Sequence, residues 1–339
     1  MKVDSALVND LGDVADNARD LEALGYDGLF TFEGPHDPFF PLLRAAEHTE
    51  RLELTTAIAV AFARNPMILA NIGYDLHAAS KGRFVLGLGS QIKPHIEKRF
   101  SMPWSKPAAR MREMVLALRA IWDCWQNGAD LDFRGEFYTH TLMTPFFDPG
   151  PNSFGTPKVV IAGVGPVMTR VAGEVADGFL VHPFSTARFL RETTMPALEQ
   201  GFALSGRKRE DFEISWPLFV VSGDTDEQRE AAARGARQQM AFYASTPAYR
   251  SVLETHGWGD LQGELNIMSK QGRWEEMGEL VDDDLLDAVA VTGAPEELPA
   301  LIDDRYGDIV DRIAIHPPGG VGRDRWQAIL ADFKARGDG

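Results

Sequence analysis

Short apolar runs recur along the chain. After each, a polar or glycine-bearing break hands over to a stretch with apolar positions three and four apart. "VDSALV" (3–8) is the first run, and in the following "LGDVADNARDLEALGYDG" Val14, Ala18, Leu21 and Leu24 fall at helical spacing before Gly25. "DGLFTFE" is the next strand and "FPLLRAAEHTER" its helix. "LELTTAIAVAF" leads to the helix "NPMILANIGYDLHAASKG", and "RFVLGLG" leads to the long helix "KPAARMREMVLALRAIWDCWQNG", with Pro107 near its first turn. The rhythm resumes with "PKVVIAG" and "VMTRVAGEVA", then "DGFLVHP" and "FLRETTMPALEQGFALSG", where Pro196 should kink or restart the helix. "FEISWPLFVVSG" precedes a helix opened by Asp224 or Thr225. "IVDRIAIHPP" and "DRWQAILADFKAR" close the series.

Eight strand–helix units, with strands near residues 5, 30, 57, 86, 160, 180, 218 and 313, predict a parallel sheet with right-handed crossovers. Closure into one α/β barrel, a (β/α)8 TIM barrel over residues 1–339, fits the length better than an open doubly wound sheet. No G-x-G-x-x-G follows the first strand. Three segments interrupt the pattern and read as insertions: about 90–105, 130–156 and 245–287. The second, "LDFRGEFYTHTLMTPFF", alternates like a surface hairpin with Arg134-Gly135 at its turn. The third has no clear strand and carries Tyr249, Trp258, Met268 and Trp274, which would line an apolar pocket or pack a homodimer. "DAVAVTG" is a candidate short strand beyond it.

Composition removes whole classes of function. A formal charge of −16 repels phosphate backbones and anionic lipid, so no nucleic-acid or membrane partner is expected. No run approaches the roughly 18 apolar residues of a membrane span, which points to a cytoplasmic protein. The one cysteine, Cys124, sits in a helical pattern and reads as a buried structural thiol. No His or carboxylate spacing suits a metal.

In such a barrel the chemistry lies at the carboxyl ends of the strands. That rule selects Glu33 with "GPHDPF" after strand two, "GLGSQIKPH" after strand four, Gly163-Val164-Gly165-Pro166 after strand five, His182 after strand six and His316 after strand eight. "GVGP" fits two readings, a tight strand-to-helix turn and an anion cradle made by the first amides of a helix. Gly87 and Gly89 mark close approach of a ligand or of backbone. The remaining histidines, His48, His77, His95, His140 and His256, receive no role.

"ASKGRFVLGLGSQIKPHIEKRF", "ARNPMILA" and "IAGVGPVMTRVAGEVADGFL" resemble the bacterial luciferase-like flavin and deazaflavin oxidoreductases. "EGPHDPF" and the Trp-bearing excursion further resemble the branch assigned to coenzyme F420. The resemblance implies a non-proline cis peptide at Ala57-Ile58, with Ala59 beside it, behind the middle ring of the cofactor. It implies that Glu33 contacts the cofactor, that Leu88, Gly89 and Ser90 line the ring, and that Ala162, Gly163, Val164, Gly165 and Pro166 hold the phosphate, with Gly178 on the cofactor tail. Ser90 departs from the glutamate or arginine of relatives, which leaves the general acid open. His36 is the candidate substitute, with Glu33 beside it and Asp37 to orient it. The implied activity is hydride transfer between deazaflavin C5 of F420 and a small organic, apolar substrate. An FMN-dependent monooxygenase and a non-catalytic flavin-binding or storage protein are the alternatives.

Overall fold

The computed structural model describes residues 1–7 and 10–337, so Val8 at the end of the first expected strand lies outside the described residues. Eight parallel strands form the barrel: β1 (Lys2–Ala6), β2 (Gly28–Thr31), β3 (Glu53–Thr56), β4 (Phe84–Gly89), β5 (Lys158–Gly163), β6 (Gly178–Val181), β7 (Glu213–Pro217) and β8 (Arg312–Ala314). Each pairs with its sequence neighbours, β3 with β4 included, and β8 closes the barrel by pairing with β1. Helices such as Val14–Leu24, Pro66–Ala79 and Pro107–Asn127 cover the outside and bury one face against the sheet.

The β3–β4 seam carries a defect. Thr55 pairs with Val85, but the next pair is Ala59 with Leu88, so four steps on β3 answer three on β4. The extra residue makes a bulge, and inside it the Ala57–Ile58 peptide is cis. The Thr56 hydroxyl donates to Gly87 O (2.8 Å) and accepts from Gly87 N (2.9 Å), clamping the bulge to β4. A Cβ at Gly87 would stand 1.7 Å from Thr56 O, so the close approach read at this glycine is made by backbone.

Two other elements depart from the expected lengths. The seventh apolar run divides after Pro217, which has no N–H to extend the barrel ladder. Its second half, Phe219–Val221, pairs instead with Ala290–Thr292 in a separate parallel ribbon. In the sixth unit, a π-turn over Leu190–Thr194 precedes Met195–Ser205 and absorbs the missing donor at Pro196.

Residues 95–99 form one π-turn of the first interrupting segment. The second holds the two-stranded hairpin Phe133–Arg134 and Thr139–His140, its turn at Gly135–Tyr138. The third is all helical, including Arg250–Glu254 and Gly259–Lys270. It forms its own apolar core with the helix Asp226–Ala244, which Thr225 and Gln228 open as a capping box. Among the described residues no helix is long and apolar enough to cross a membrane.

Candidate active site

A cavity of about 870 Å³ opens at the carboxyl ends of the strands and runs down into the barrel. Its deep end is ionic. Arg312, at the start of β8, holds Asp4 through Nη1 (2.6 Å), Glu53 through Nη2 (2.7 Å) and Glu213 through Nε (3.1 Å). The guanidinium is only 4% exposed, so each nitrogen must have its carboxylate. Burial pushes the Asp4 carboxyl up to about 6 against the pull of Arg312. A side chain on Gly28 would enter this cluster, 2.7 Å from both Arg312 Nη1 and Asp4 Oδ1.

Above the ions the wall turns apolar. Val85, Val160 and Leu180 pack together, with Ala57, Ile58 and Ala162 against them. The cis peptide therefore sits in an apolar wall of the cavity. Glu33 braces it from outside the ladder: Glu33 N donates to Ile58 O (3.1 Å), and Glu33 Oε2 accepts from Val60 N (2.7 Å) and from Arg64 Nη1 (2.6 Å).

At the rim, β5 ends in Gly163 and the helix Pro166–Val175 begins. Gly165 is its N-cap and no side chain caps it. Gly165 O is taken by Thr169, but the amides of Val164, Gly165, Val167 and Met168 donate to no acceptor among the described residues. Val164, Gly165 and Met168 line the cavity. Together they form a cradle of unpaired backbone donors, an arrangement suited to an anion.

The last turns of the helix Asp226–Ala244 bring Gln239 and Tyr243 to the cavity, and the chain that follows brings Tyr249. The His182 ring stacks on Tyr249 (centroids 4.1 Å, 26°) and meets Tyr243 edge-on (4.8 Å). Phe184 N donates to His182 Nδ1 (3.1 Å), so the neutral ring carries its proton on Nε2. Burial pushes the His182 pKa down to about 4, and the ring is neutral at pH 7. His316 stands at the rim with Nδ1 3.3 Å from Ser5 Oγ.

The family model for luciferase-like monooxygenases matches residues 2–312. The chain belongs to the luciferase-like monooxygenase family. An uncharacterized protein of Mycobacterium tuberculosis is 56% identical, with 92% of each chain covered. The F420-dependent glucose-6-phosphate dehydrogenase of Nakamurella multipartita is 28% identical over 77% of this chain and 78% of its own. The coenzyme F420 dependent tetrahydromethanopterin reductase from Methanopyrus kandleri shares the fold with a TM-score of 0.80 at 18% identity. That match covers 99% of this chain and 98% of the other.

Set against the residues that the family likeness implied, the geometry divides them. Glu33, Ala57, Ile58, Gly89, Ser90, Ala162, Gly163, Val164 and Gly165 line the cavity. Ala59 and Leu88 are fully buried behind that wall and pair with each other. Pro166 has no N–H to give, so the amides of Val167 and Met168 extend the cradle past it. Gly178 requires a correction. It starts β6, at the end away from the mouth, and its missing Cβ makes room for Glu213 O at 2.6 Å.

His36 is also displaced from the expected place. It is exposed and does not line the cavity, because Asp37 is drawn to Arg64 Nη2 (3.1 Å) and caps Phe39 N (2.9 Å), which turns the loop outward. Asp37 therefore orients the helix start and not His36. Glu33 is held as an ion pair with Arg64. Trp258 stacks on His256, Trp274 lies against Phe242, and Met268 is buried in the second core. Of the four residues singled out in the third segment only Tyr249 reaches the cavity.

The mouth residues Gln239 and Tyr243 and the ionic plug were missed. The one signal for the plug was polar and charged residues, Asp4, Glu53, Glu213 and Arg312, inside otherwise apolar strands.

Proposed function

We propose that this chain binds coenzyme F420 and moves a hydride between the deazaflavin C5 and a small organic substrate. The observation that carries the reading is one cavity with an apolar wall at the cis Ala57–Ile58 peptide and a free-amide cradle at its rim. A flat tricyclic ring suits the first and a phosphate the second. A cavity of about 870 Å³ is at the upper end of the range for small-molecule sites, roughly 300–1,000 Å³. The bound deazaflavin would supply two-electron hydride chemistry that reacts poorly with oxygen.

Each set of protein groups has a separable task. Ala57, Ile58 and Gly89 offer the ring an apolar seat, held rigid by the Glu33–Arg64 pair and the Thr56–Gly87 clamp. The amides of Val164, Gly165, Val167 and Met168 bind the phosphate. The Tyr243–Tyr249 flap excludes water over the mouth. Arg312 is the one cation lining the cavity among the described residues, and three carboxylates occupy it at the far end. A cradle without a cation favours the singly charged phosphodiester of F420 over the doubly charged phosphomonoester of FMN.

Fluorescence titration tests the proposal. The protein should quench F420 with a micromolar dissociation constant and bind FMN at least tenfold more weakly. Tighter binding of FMN, joined to NADH-dependent oxygen uptake, would overturn it in favour of a monooxygenase. Binding of F420 without turnover across a broad substrate panel would support the storage role.

A further inference from the structure

The rim of the cavity contains a hydrogen-bond donor that the cofactor-binding elements leave unused. His182 follows β6, and its Nδ1 is satisfied within its own turn by Phe184 N. Its Nε2–H has no acceptor among the described residues and is open to the cavity that the ring lines. Tyr249 on one face and Tyr243 at the edge fix the ring's orientation, so this donor is held in place before any ligand arrives.

The charges around it restrict what it can meet. The charged side chains lining the cavity are Asp4, Glu33, Glu53, Glu213 and Arg312. Arg312 is consumed by three of the acids, and Glu33 is consumed by Arg64. No cation is left to receive a carboxylate or a phosphate on the substrate. An ammonium group is no better, since it brings donors to a donor. The remaining match is a neutral oxygen acceptor on a flat, largely apolar molecule that lies among Val85, Val160, Leu180 and the tyrosines.

We infer that the substrate is a neutral planar carbonyl compound whose oxygen accepts the His182 Nε2–H hydrogen bond. This deepens the F420 reading and rests on it. It makes His182 the substrate-orienting residue and assigns the selectivity of the site to the absence of a free cation. The imidazole stays neutral throughout, as its burial requires.

The test is a set of calorimetric titrations of the full chain, with and without saturating F420. The ligands are 2-acetonaphthone, its anionic counterpart 2-naphthoate, glucose 6-phosphate, and naphthalene, which has no oxygen. Proton NMR of the 15N-histidine-labelled protein follows the His182 Nε2–H signal. The ketone should bind at least tenfold more tightly than 2-naphthoate or glucose 6-phosphate and should shift that signal. His182→Phe keeps an aromatic ring and should weaken ketone binding about tenfold while leaving naphthalene unchanged. His182→Gln restores an amide donor and should recover part of the loss. The inference is overturned if an anion binds as well as the ketone, if His182→Phe leaves the ketone unaffected, or if naphthalene loses as much as the ketone. F420 quenching in the same samples separates the two levels. Quenching without ketone binding sinks this inference alone, and ketone binding without quenching sinks the cofactor reading beneath it.

Discussion

Gly87→Ala and Gly89→Ala differ by one atom at positions two apart on β4, and the structure predicts opposite consequences. At Gly87 the new methyl would lie 1.7 Å from Thr56 O and 3.0 Å from Thr56 C, both backbone atoms that cannot rotate away. A relaxed carbon–oxygen contact needs roughly twice the shorter distance. β3 must therefore move off β4 by more than an ångström, and the two Thr56–Gly87 hydrogen bonds, at 2.8 and 2.9 Å, cannot survive that shift. Overpacking costs about 1–3 kcal/mol and two buried hydrogen bonds about 1 kcal/mol each, which sums to about 3–5 kcal/mol. That is a large part of the roughly 5–15 kcal/mol available to a folded domain.

At Gly89 the methyl would meet Ile58 Cδ1 and Cγ1 at 2.7 Å, the mobile end of a side chain. Ile58 can swing, at a cost of about 1 kcal/mol, but it swings within the proposed ring seat. Urea denaturation should show a large drop in midpoint for Gly87→Ala and a small one for Gly89→Ala. F420 quenching should be weakened strongly in the folded Gly89→Ala protein. Equal stability losses, or a Gly89→Ala variant that binds F420 like the parent, would refute this reasoning.

Arg312→Met should destabilise the protein by about 3–5 kcal/mol at pH 7, because Asp4, Glu53 and Glu213 then face one another without a cation. Burial already pushes the Asp4 carboxyl up to about 6, and without Arg312 it loses the cation that pulls the other way, so stability should return in part as the pH falls from 7 to 5, read by denaturation at each pH. The His182 imidazole supplies a second pH signature. Its folded pKa of about 4 lies below the ordinary histidine value of 6.5, so the unfolded chain takes up the proton first and stability drains away as pH falls through that window, by about 3 kcal/mol at its lower end. In His182→Gln that component of the pH slope between 6.5 and 4 should be missing. A variant that keeps the parent's slope would contradict the burial argument. Glu33→Gln should cost about 1–3 kcal/mol and weaken F420 binding, since the brace between Val60 and Arg64 loses its charge. His36→Ala should leave both within experimental error, and a tenfold loss of F420 affinity in that variant would return His36 to the site.

The barrel was legible because parallel strands buried on both faces read as near-continuous apolar runs. Glycine, proline and aspartate mark where each run stops. The third strand was different. Nothing in "LTTAIAVAF" distinguishes a bulged strand from a straight one, and the break at Ala57–Ile58 was legible only through the family likeness.

The candidate site was legible where it is made of backbone and lost where it is made of distant side chains. The Gly163–Gly165 turn declares itself in local sequence. The outward turn of His36 depends on Arg64, 27 residues beyond Asp37, and no local pattern carries that information. The same holds for Tyr243 and Tyr249, more than 60 residues beyond His182, which meet its ring from the end of the helix Asp226–Ala244 and from the start of the third segment. Gly178 was assigned to the cofactor from its place in a family segment, but it lies at the amino end of β6, a strand length from the chemistry.

The central claim is that one cavity seats a deazaflavin ring against Ala57–Ile58 and holds its phosphate on the amides of Val164, Gly165, Val167 and Met168. A crystal structure of the full chain grown with F420 tests it most directly. The account predicts the phosphate within hydrogen-bond distance of the Gly165, Val167 and Met168 amides and the ring in contact with Ile58, facing His182 across the mouth. A cofactor bound elsewhere, or a phosphate held by side-chain cations with these amides left free, would contradict it.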